Sequence, residues 1–351
     1  MKNYFQNVTG ELKEYFKILS PEIPEWIEEY IDVPEMDRIS KISMFCGKDY
    51  SKAFGVRYFI SNLDHSVGVA LIIWHFTHDK KQTIAGLYHD IATPVFKHCI
   101  DFMNGDSETQ ESTEEKTVEI IKNSKQIMAL LNRDGIAVEE IADYKKYPIA
   151  DNSAPRLAAD RFEYHFTCGL SLSPVFSIAD IKEIYDNVVI EKNEDNVDEL
   201  CFKSLKVCEK YLKKASMLWP LWADERNNVF MNFLGDICKA MSKNGELSVN
   251  DLYTLSENEV IDKIKNSKDE YISSKFKEFQ ETRNVFVSPI ELNENYCVKV
   301  KAKRRYINPL VKTNDGAKRV YDVSSLAKIY IDGYLNEKYD GFGCFEFDFH
   351  V

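Results

Sequence analysis

The sequence predicts a mainly α fold with a smaller α+β C-terminal part, and three observations carry that prediction. Through the first 280 residues apolar side chains return mostly at helical spacing. From about residue 283 the texture changes to alternating, β-branched segments. The 351-residue chain is 44% hydrophobic and 13% aromatic, enough to fill a sizeable core, which excludes a wholly disordered chain.

The elements follow in order. Val67-Gly68-Val69-Ala70-Leu71-Ile72-Ile73-Trp74, Lys81 to His89 and Thr117 to Leu131 read as helices. Ser112-Thr113-Glu114-Glu115 opens the last of these, a hydroxyl followed three residues later by a carboxylate. Pro94, Pro148, Pro155 and Pro174 mark loops or first turns. The acidic run Glu191 to Glu199 reads as a solvated loop, since like charges seek water. Asn284-Val285-Phe286-Val287 and Tyr296 to Val300 read as strands, Asn314-Asp315-Gly316 as a loop, and Ser324 to Leu335 as a short helix. The tail Gly341 to Phe349 alternates like an edge strand. Two regions result, a helical domain over 1–280 and a small α+β region over 281–351.

Charge and cysteine usage narrow the function classes. Lys plus Arg number 45 against 57 Asp plus Glu, a formal charge of −12, which argues against a general nucleic-acid coat. The one basic cluster is Lys299, Lys301, Lys303, Arg304 and Arg305, read as a charged exposed strand. The N-terminus lacks the apolar run of a signal peptide, and Val67 to Trp74 falls far short of the roughly 20 residues that span a bilayer. The eight cysteines include no C-x-x-C pair and fit reduced, buried thiols. A soluble, cytoplasmic protein is expected.

Seven histidines are few enough to weigh singly. His89-Asp90 ends an apolar helical stretch, where an imidazole and a carboxylate can face one cation. His65 begins another apolar helix. Asp160 lies on a helix with apolar Leu157, and a carboxylate there is costly to bury unless paired or metal-bound. His65, His89, Asp90 and Asp160 make a mixed nitrogen and oxygen set suited to a divalent ion of Mn, Fe, Ni, Co, Zn or Mg. Such an ion acidifies water and offsets charge developing on phosphorus. His75 and His78 fall off the His65 face and are expected at the surface; His98 and His165 are expected to pack.

The order H…HD…D resembles the HD-domain metal-dependent phosphohydrolase superfamily. Asp64-His65-Ser66-Val67-Gly68-Val69-Ala70 is similar to the "(E/D)HSLGVA" start of its deoxynucleoside triphosphate triphosphohydrolase branch. Leu87 to His98 resembles "LLHDIGHGPFSH", Ala159-Asp160-Arg161-Phe162-Glu163-Tyr164 resembles "ADRLDY", and Val300 to Pro309 is similar to the "KxRxxDP" segment. The resemblance spans about residues 35 to 310. It implies an HD-type helical core, the metal ligands His65, His89, Asp90 and Asp160, and Asp90 orienting the attacking water. It also implies a small phosphorylated substrate of nucleotide type and a homo-oligomer.

The departures bear on substrate and activity. Thr93 stands where family enzymes often place a catalytic histidine. Gln110-Glu111 aligns with a later "HE", and Asn62 replaces a phosphate-binding arginine. Thr93 is the catalytic candidate beside Asp90; Asn62, Lys97 and Arg161 are the substrate-binding candidates. The expected activity is a metal-dependent phosphohydrolase. The alternative is a catalytically silent relative that binds a nucleotide or a partner in regulation.

Overall fold

The longest apolar segment becomes the centre of the molecule. In the computed structural model, which describes residues 3–108, 116–301 and 303–350, the Asn62–Thr77 helix buries Leu63, Val67 and every residue from Val69 to Ile73. A helix apolar on nearly all sides must be surrounded. The Gly10–Leu19, Pro34–Ile39, Lys80–Tyr88 and Ala159–Thr167 helices pack around it. Its start is set by a capping box: Asp64 N–H donates to Ser61 Oγ at 3.1 Å, and Ser61 N–H donates to Asp64 Oδ2 at 2.8 Å. The first half of the chain is thus helical, as its periodicity predicts.

The Thr117 to Leu131 segment is two helices, Thr117–Asn123 and Lys125–Asp134. Ser124 is extended and its Oγ accepts from Ile127 N–H at 3.3 Å, so a residue that favours caps breaks a continuous apolar pattern. The expected start at Ser112 to Glu115, and Gln110-Glu111, lie outside the described residues.

Among the described residues seven strands form two small sheets. β1 (Val188–Lys192), β2 (Asp198–Phe202), β5 (Leu310–Thr313) and β6 (Gly316–Arg319) make the first, in the order β1-β2-β5-β6. β3 (Val285–Ser288), β4 (Cys297–Val298) and β7 (Phe342–Phe345) make the second, in the order β3-β7-β4. The first sheet joins the two sequence regions, because β2 pairs in parallel with β5.

Several local expectations change here. The middle of the acidic run is exposed as expected, with Glu194 and Asp195 at the tip of the β1–β2 hairpin, but its ends are strand: Glu191 lies opposite Glu199, which is buried. The Asn314-Asp315-Gly316 loop turns a second hairpin, β5–β6. The tail strand is central rather than an edge: its alternating Phe345, Phe347 and Phe349 face the Glu225–Lys243 helix side, while both edges of β7 are paired. Alternation reports a buried face and says nothing of which chains lie alongside. The Tyr296 to Val300 strand shortens to two residues. A disulfide links Cys297 and Cys344, paired neighbours on β4 and β7, against the expectation of thiols throughout; the other six cysteines are free and buried.

One buried ion pair braces the first sheet between β2 and β6, and its carboxylate also ties that sheet to the helical body. Glu199 is fully buried, and Arg319 grips it bidentately, with Nη1 2.5 Å from Oε1 and Nη2 2.7 Å from Oε2. Glu199 also accepts from Asn193 Nδ2 at 3.1 Å and from Leu157 N–H at 3.3 Å, just ahead of the Ala159–Thr167 helix. Removing one partner leaves a buried charge uncompensated. Arg319→Met is therefore expected to cost about 3–5 kcal/mol, read from the urea midpoint; a loss below about 1 kcal/mol would show that Glu199 finds other compensation.

A second buried carboxyl gives the fold a pH dependence. Burial, aided by the charge of Asp49, pushes Glu257 up to about 8, although hydrogen bonds from Ser43, Tyr50 and Phe96 pull the other way. Because the folded value lies above the ordinary 4.5, its contribution is complete below that value and lost as pH rises through about 8. Unfolding free energy should decline between roughly pH 5 and 9, and Glu257→Gln should flatten that decline. Equal slopes in the two proteins would assign it to another group.

Candidate metal centre and its cavity

Three helices deliver the ligand candidates to one point. His65 lies in the opening turns of the Asn62–Thr77 helix, His89-Asp90 follows the last turn of the Lys80–Tyr88 helix, and Asp160 lies in the first turn of the Ala159–Thr167 helix. His65 Nε2 is 3.2 Å and His89 Nε2 3.8 Å from Asp160 Oδ1. One ligand atom from each of the three residues lies within 4.8 Å of the others.

Both imidazoles are oriented from behind. His89 Nδ1 lies 2.7 Å from the carbonyl of Gly86, to which it donates, and His65 Nδ1 is bonded to Glu163. Each Nδ1 is thereby engaged from behind, and Nε2 is the atom that each ring turns toward the centre. Glu163 is fully buried and also accepts from Tyr15 Oη at 3.2 Å and Thr167 Oγ1 at 3.3 Å. Sequence reasoning passed over it. The available signal was its place three residues after Asp160, one turn along a helix with an apolar face.

The charges are mutually dependent. Burial opposes protonation of His65, but Glu163 and Asp160 outweigh it and lift the imidazole to about 9. Burial raises Glu163, with the charge of His65 opposing, so both groups compete for the proton on Nδ1. Burial also works against ionisation of Asp160, which nevertheless ends well below the usual carboxylate range because His65 and His89 face it.

Asp90 borders the three-residue cluster. Its oxygens lie 4.0 Å from His65 Nε2 and 3.7 Å from His89 Nε2, and Oδ2 ion-pairs with Lys97 Nζ at 3.0 Å. Burial disfavours its charged form, yet Lys97, His89 and His65 together hold it well below the usual range. Lys97 is buried, bonded to both Asp90 and Asn62 Oδ1, and so is not the solvated lysine its residue type suggests. Phe96 and Lys97 both have positive φ, +62° and +49°, a conformation non-glycine residues hold only where packing over-determines it. Asn62 is fully buried and donates to the Asp90 carbonyl at 3.4 Å. Thr93 does not line the cavity; its N–H donates to the Asp90 carbonyl at 2.9 Å, and its own carbonyl accepts from Arg38 at 2.7 Å.

Arg161 lines the cavity while ion-paired to Asp151 at 2.9 Å and bonded to the Arg156 carbonyl at 2.6 Å. His165 packs, accepting from Trp219 Nε1 at 3.2 Å, and His75 and His78 are exposed as expected. His98 lines the cavity and is bonded to Asp101 at 2.9 Å.

The cavity occupies about 480 Å³ where the two apolar cores meet: Met44, Phe45 and Cys168 come from one, Cys46 and Met231 from the other. Its charged lining is Lys48, Lys97, Lys145, Arg161, Lys303, Arg304 and Arg305 against Asp90, Asp151 and Asp160. The basic cluster near residue 303, expected as an exposed strand, thus reaches the cavity wall, although Arg304 is turned away to the carbonyls of Tyr334 at 2.8 Å and Leu335 at 3.2 Å.

Several known proteins are similar to this chain, although no family model matches it. An uncharacterized protein of Bacillus subtilis (strain 168), YdhJ, is 23% identical over 265 residues, 73% of this chain and 75% of that protein. The metal-dependent phosphohydrolase cns2 of the fungus Cordyceps militaris is 19% identical over 134 residues, 38% of each protein. A solved phosphohydrolase of Bacteroides thetaiotaomicron VPI-5482 superposes with a TM-score of 0.63 at 13% identity, covering 92% of this chain and 96% of its own. A hypothetical protein from Aquifex aeolicus gives 0.64 at 15% identity and 92% of both chains. The chain shares its fold with both. No helix among the described residues is long and apolar enough to cross a membrane.

Two convergent Nε2 atoms and an ionised Asp160 fit a divalent cation by donor chemistry, the cation taking the place of the proton that His65 otherwise carries. If Glu163 orients His65 for that cation, Glu163→Gln should weaken Mn²⁺ binding by about tenfold to a hundredfold in calorimetric titration. Undiminished affinity would reduce Glu163 to a packing role.

Proposed function

We propose that the protein is a metal-dependent phosphohydrolase acting on a small phosphate ester of nucleotide type. The observation that carries this reading is a His65, His89 and Asp160 cluster opening into a cavity whose charged lining is mostly cationic, in a chain of net charge −12. Such a cavity favours a phosphorylated ligand over a neutral one. The two phosphohydrolase names among the similar proteins support the same activity.

His65, His89 and Asp160 would hold the cation, with Asp90 beside them, 3.7 Å from His89 Nε2. A divalent cation there supplies Lewis-acid polarisation of a phosphoryl oxygen and acidification of water. The remaining work falls to the chain. Lys97, anchored by Asn62 and Asp90, presents an ammonium beside the centre that can bond a phosphoryl oxygen. Arg161, held by Asp151, gives the cavity wall a fixed guanidinium. Asp90, kept ionised by Lys97, is the acceptor available to orient an attacking water. The rings of Tyr164 and Trp222 meet edge to face at 5.2 Å and give the same wall an aromatic section, with the Arg305 guanidinium over the Tyr164 ring.

The test is product analysis by ion exchange with Mn²⁺ and a panel of nucleoside mono- and triphosphates, wild type beside Asp160→Asn. Turnover by the wild type and a loss of at least about a hundredfold in the variant is the expected result. Equal turnover by both would overturn the site. Silence of a metal-loaded wild type across the panel would favour the regulatory, binding-only reading, toward which the absence of a histidine at position 93 already points.

A further inference from the structure

Among the described residues two lysines are buried, and they differ in one respect. Lys97 has its carboxylate, Asp90, at 3.0 Å. Lys48 is 4% exposed, lines the cavity, and among the described residues has no hydrogen-bond or ion-pair partner; its Nζ lies 5.9 Å from the centre of the Phe54 ring. The neighbouring Asp49 feels the charge of Lys48 without pairing with it. The side chain is buried, but its ammonium is not fully enclosed and so meets the open space of the cavity.

The surrounding backbone holds Lys48 where it is. Cys46 and Gly47 both take left-handed conformations, φ +55° and +73°, which turn Cys46 and Lys48 toward the cavity. A Cβ on Gly47 would lie 2.6 Å from Leu234 Cδ1 and 3.0 Å from Phe96 Cδ1, so the turn is packed tightly from behind. On the same cavity, Asn227 is 4% exposed, and its Oδ1 is buried with no hydrogen-bond partner among the described residues. Two buried polar side chains thus border one cavity with bonding capacity unused. Among the described residues neither Asp90 nor Asp160 is ion-paired with Lys48, so its charge is not committed to the carboxylates of the metal centre.

We propose that Lys48 and Asn227 form a second anion subsite, taking a phosphate group other than the one at the metal centre. Lys48 supplies the charge, and the Asn227 amide turns to donate its NH₂ to a phosphate oxygen. The inference rests on the phosphohydrolase reading and narrows it to ligands that carry, or bind together with, more than one phosphate.

The experiment is calorimetric titration of the protein, in the metal state in which it is purified and with metal content measured in parallel. The probes are pyrophosphate and orthophosphate, and the proteins are wild type, Lys48→Met and Lys48→Arg. Pyrophosphate affinity should fall about tenfold to a hundredfold in Lys48→Met and recover in Lys48→Arg. If orthophosphate binding is unchanged by Lys48→Met, the subsite takes a linked second phosphate; if it falls equally, the subsite takes a free phosphate ion. Without ligand, Lys48→Met should keep Tm within about 2 °C of wild type, because the ammonium meets the open cavity and holds no partner among the described residues. Pyrophosphate binding equal in all three proteins, or a lowered Tm with unchanged binding, would make Lys48 a packing residue and overturn the subsite. A chain that holds no metal yet binds pyrophosphate through Lys48 would sink the phosphohydrolase reading and leave the subsite standing.

Discussion

At Gly68 the helix carrying His65 comes so near the helix carrying Asp160 that a Cβ would lie 2.7 Å from Glu163 Oε1 and 2.8 Å from its Cγ. That close approach lets a buried carboxylate reach His65 Nδ1 from one side while Asp160 stands 3.2 Å from Nε2 on the other. One imidazole is thus fixed at both nitrogens by a single neighbouring helix. Everything else at the centre is arranged around that fixed ring. A polar cluster of this kind is tolerated inside an apolar core only because its members satisfy one another.

The same mutual compensation explains the second rank of residues. Lys97 compensates Asp90, Arg161 compensates Asp151, and Arg38 binds the carbonyls of Ile91 and Thr93 that follow the His89-Asp90 pair. These contacts hold the loop behind the centre to one conformation, against the strain of left-handed backbone at Phe96 and Lys97. Positive charge that the chain as a whole lacks is gathered on the cavity wall from segments as distant as Lys48 and Arg305. A strongly acidic protein can therefore present a cationic pocket, because potential in a low-dielectric cleft follows the local charges more than the net total.

Strand placement shows where local pattern stops being informative. The β1–β2 hairpin carries an acidic tip, and its charges read as solvated until Arg156 and Arg319 are seen beside Glu194. The β5–β6 hairpin needs β2 as a partner across more than a hundred residues of sequence. The tail strand alternates correctly, but its central place depends on β3 and β4 closing on either side. Pairing is a long-range choice, made by which chains the core leaves adjacent.

Periodicity and local motif are short-range properties of the chain, and they were enough for the helical class, the apolar helix at the centre, and the positions of His65, His89, Asp90 and Asp160. They also pointed to Asn62, Lys97, Thr93 and Arg161 near the centre, but not to what each one touches. Only folding paired Asp90 with Lys97, put Thr93 behind the centre rather than in the cavity, and set Glu163 against His65. Folding, too, brought Lys48 and Arg305 to one cavity. The physical reason is that the state and partners of a buried polar group depend on which charges fold around it, and those arrive from segments no local window contains.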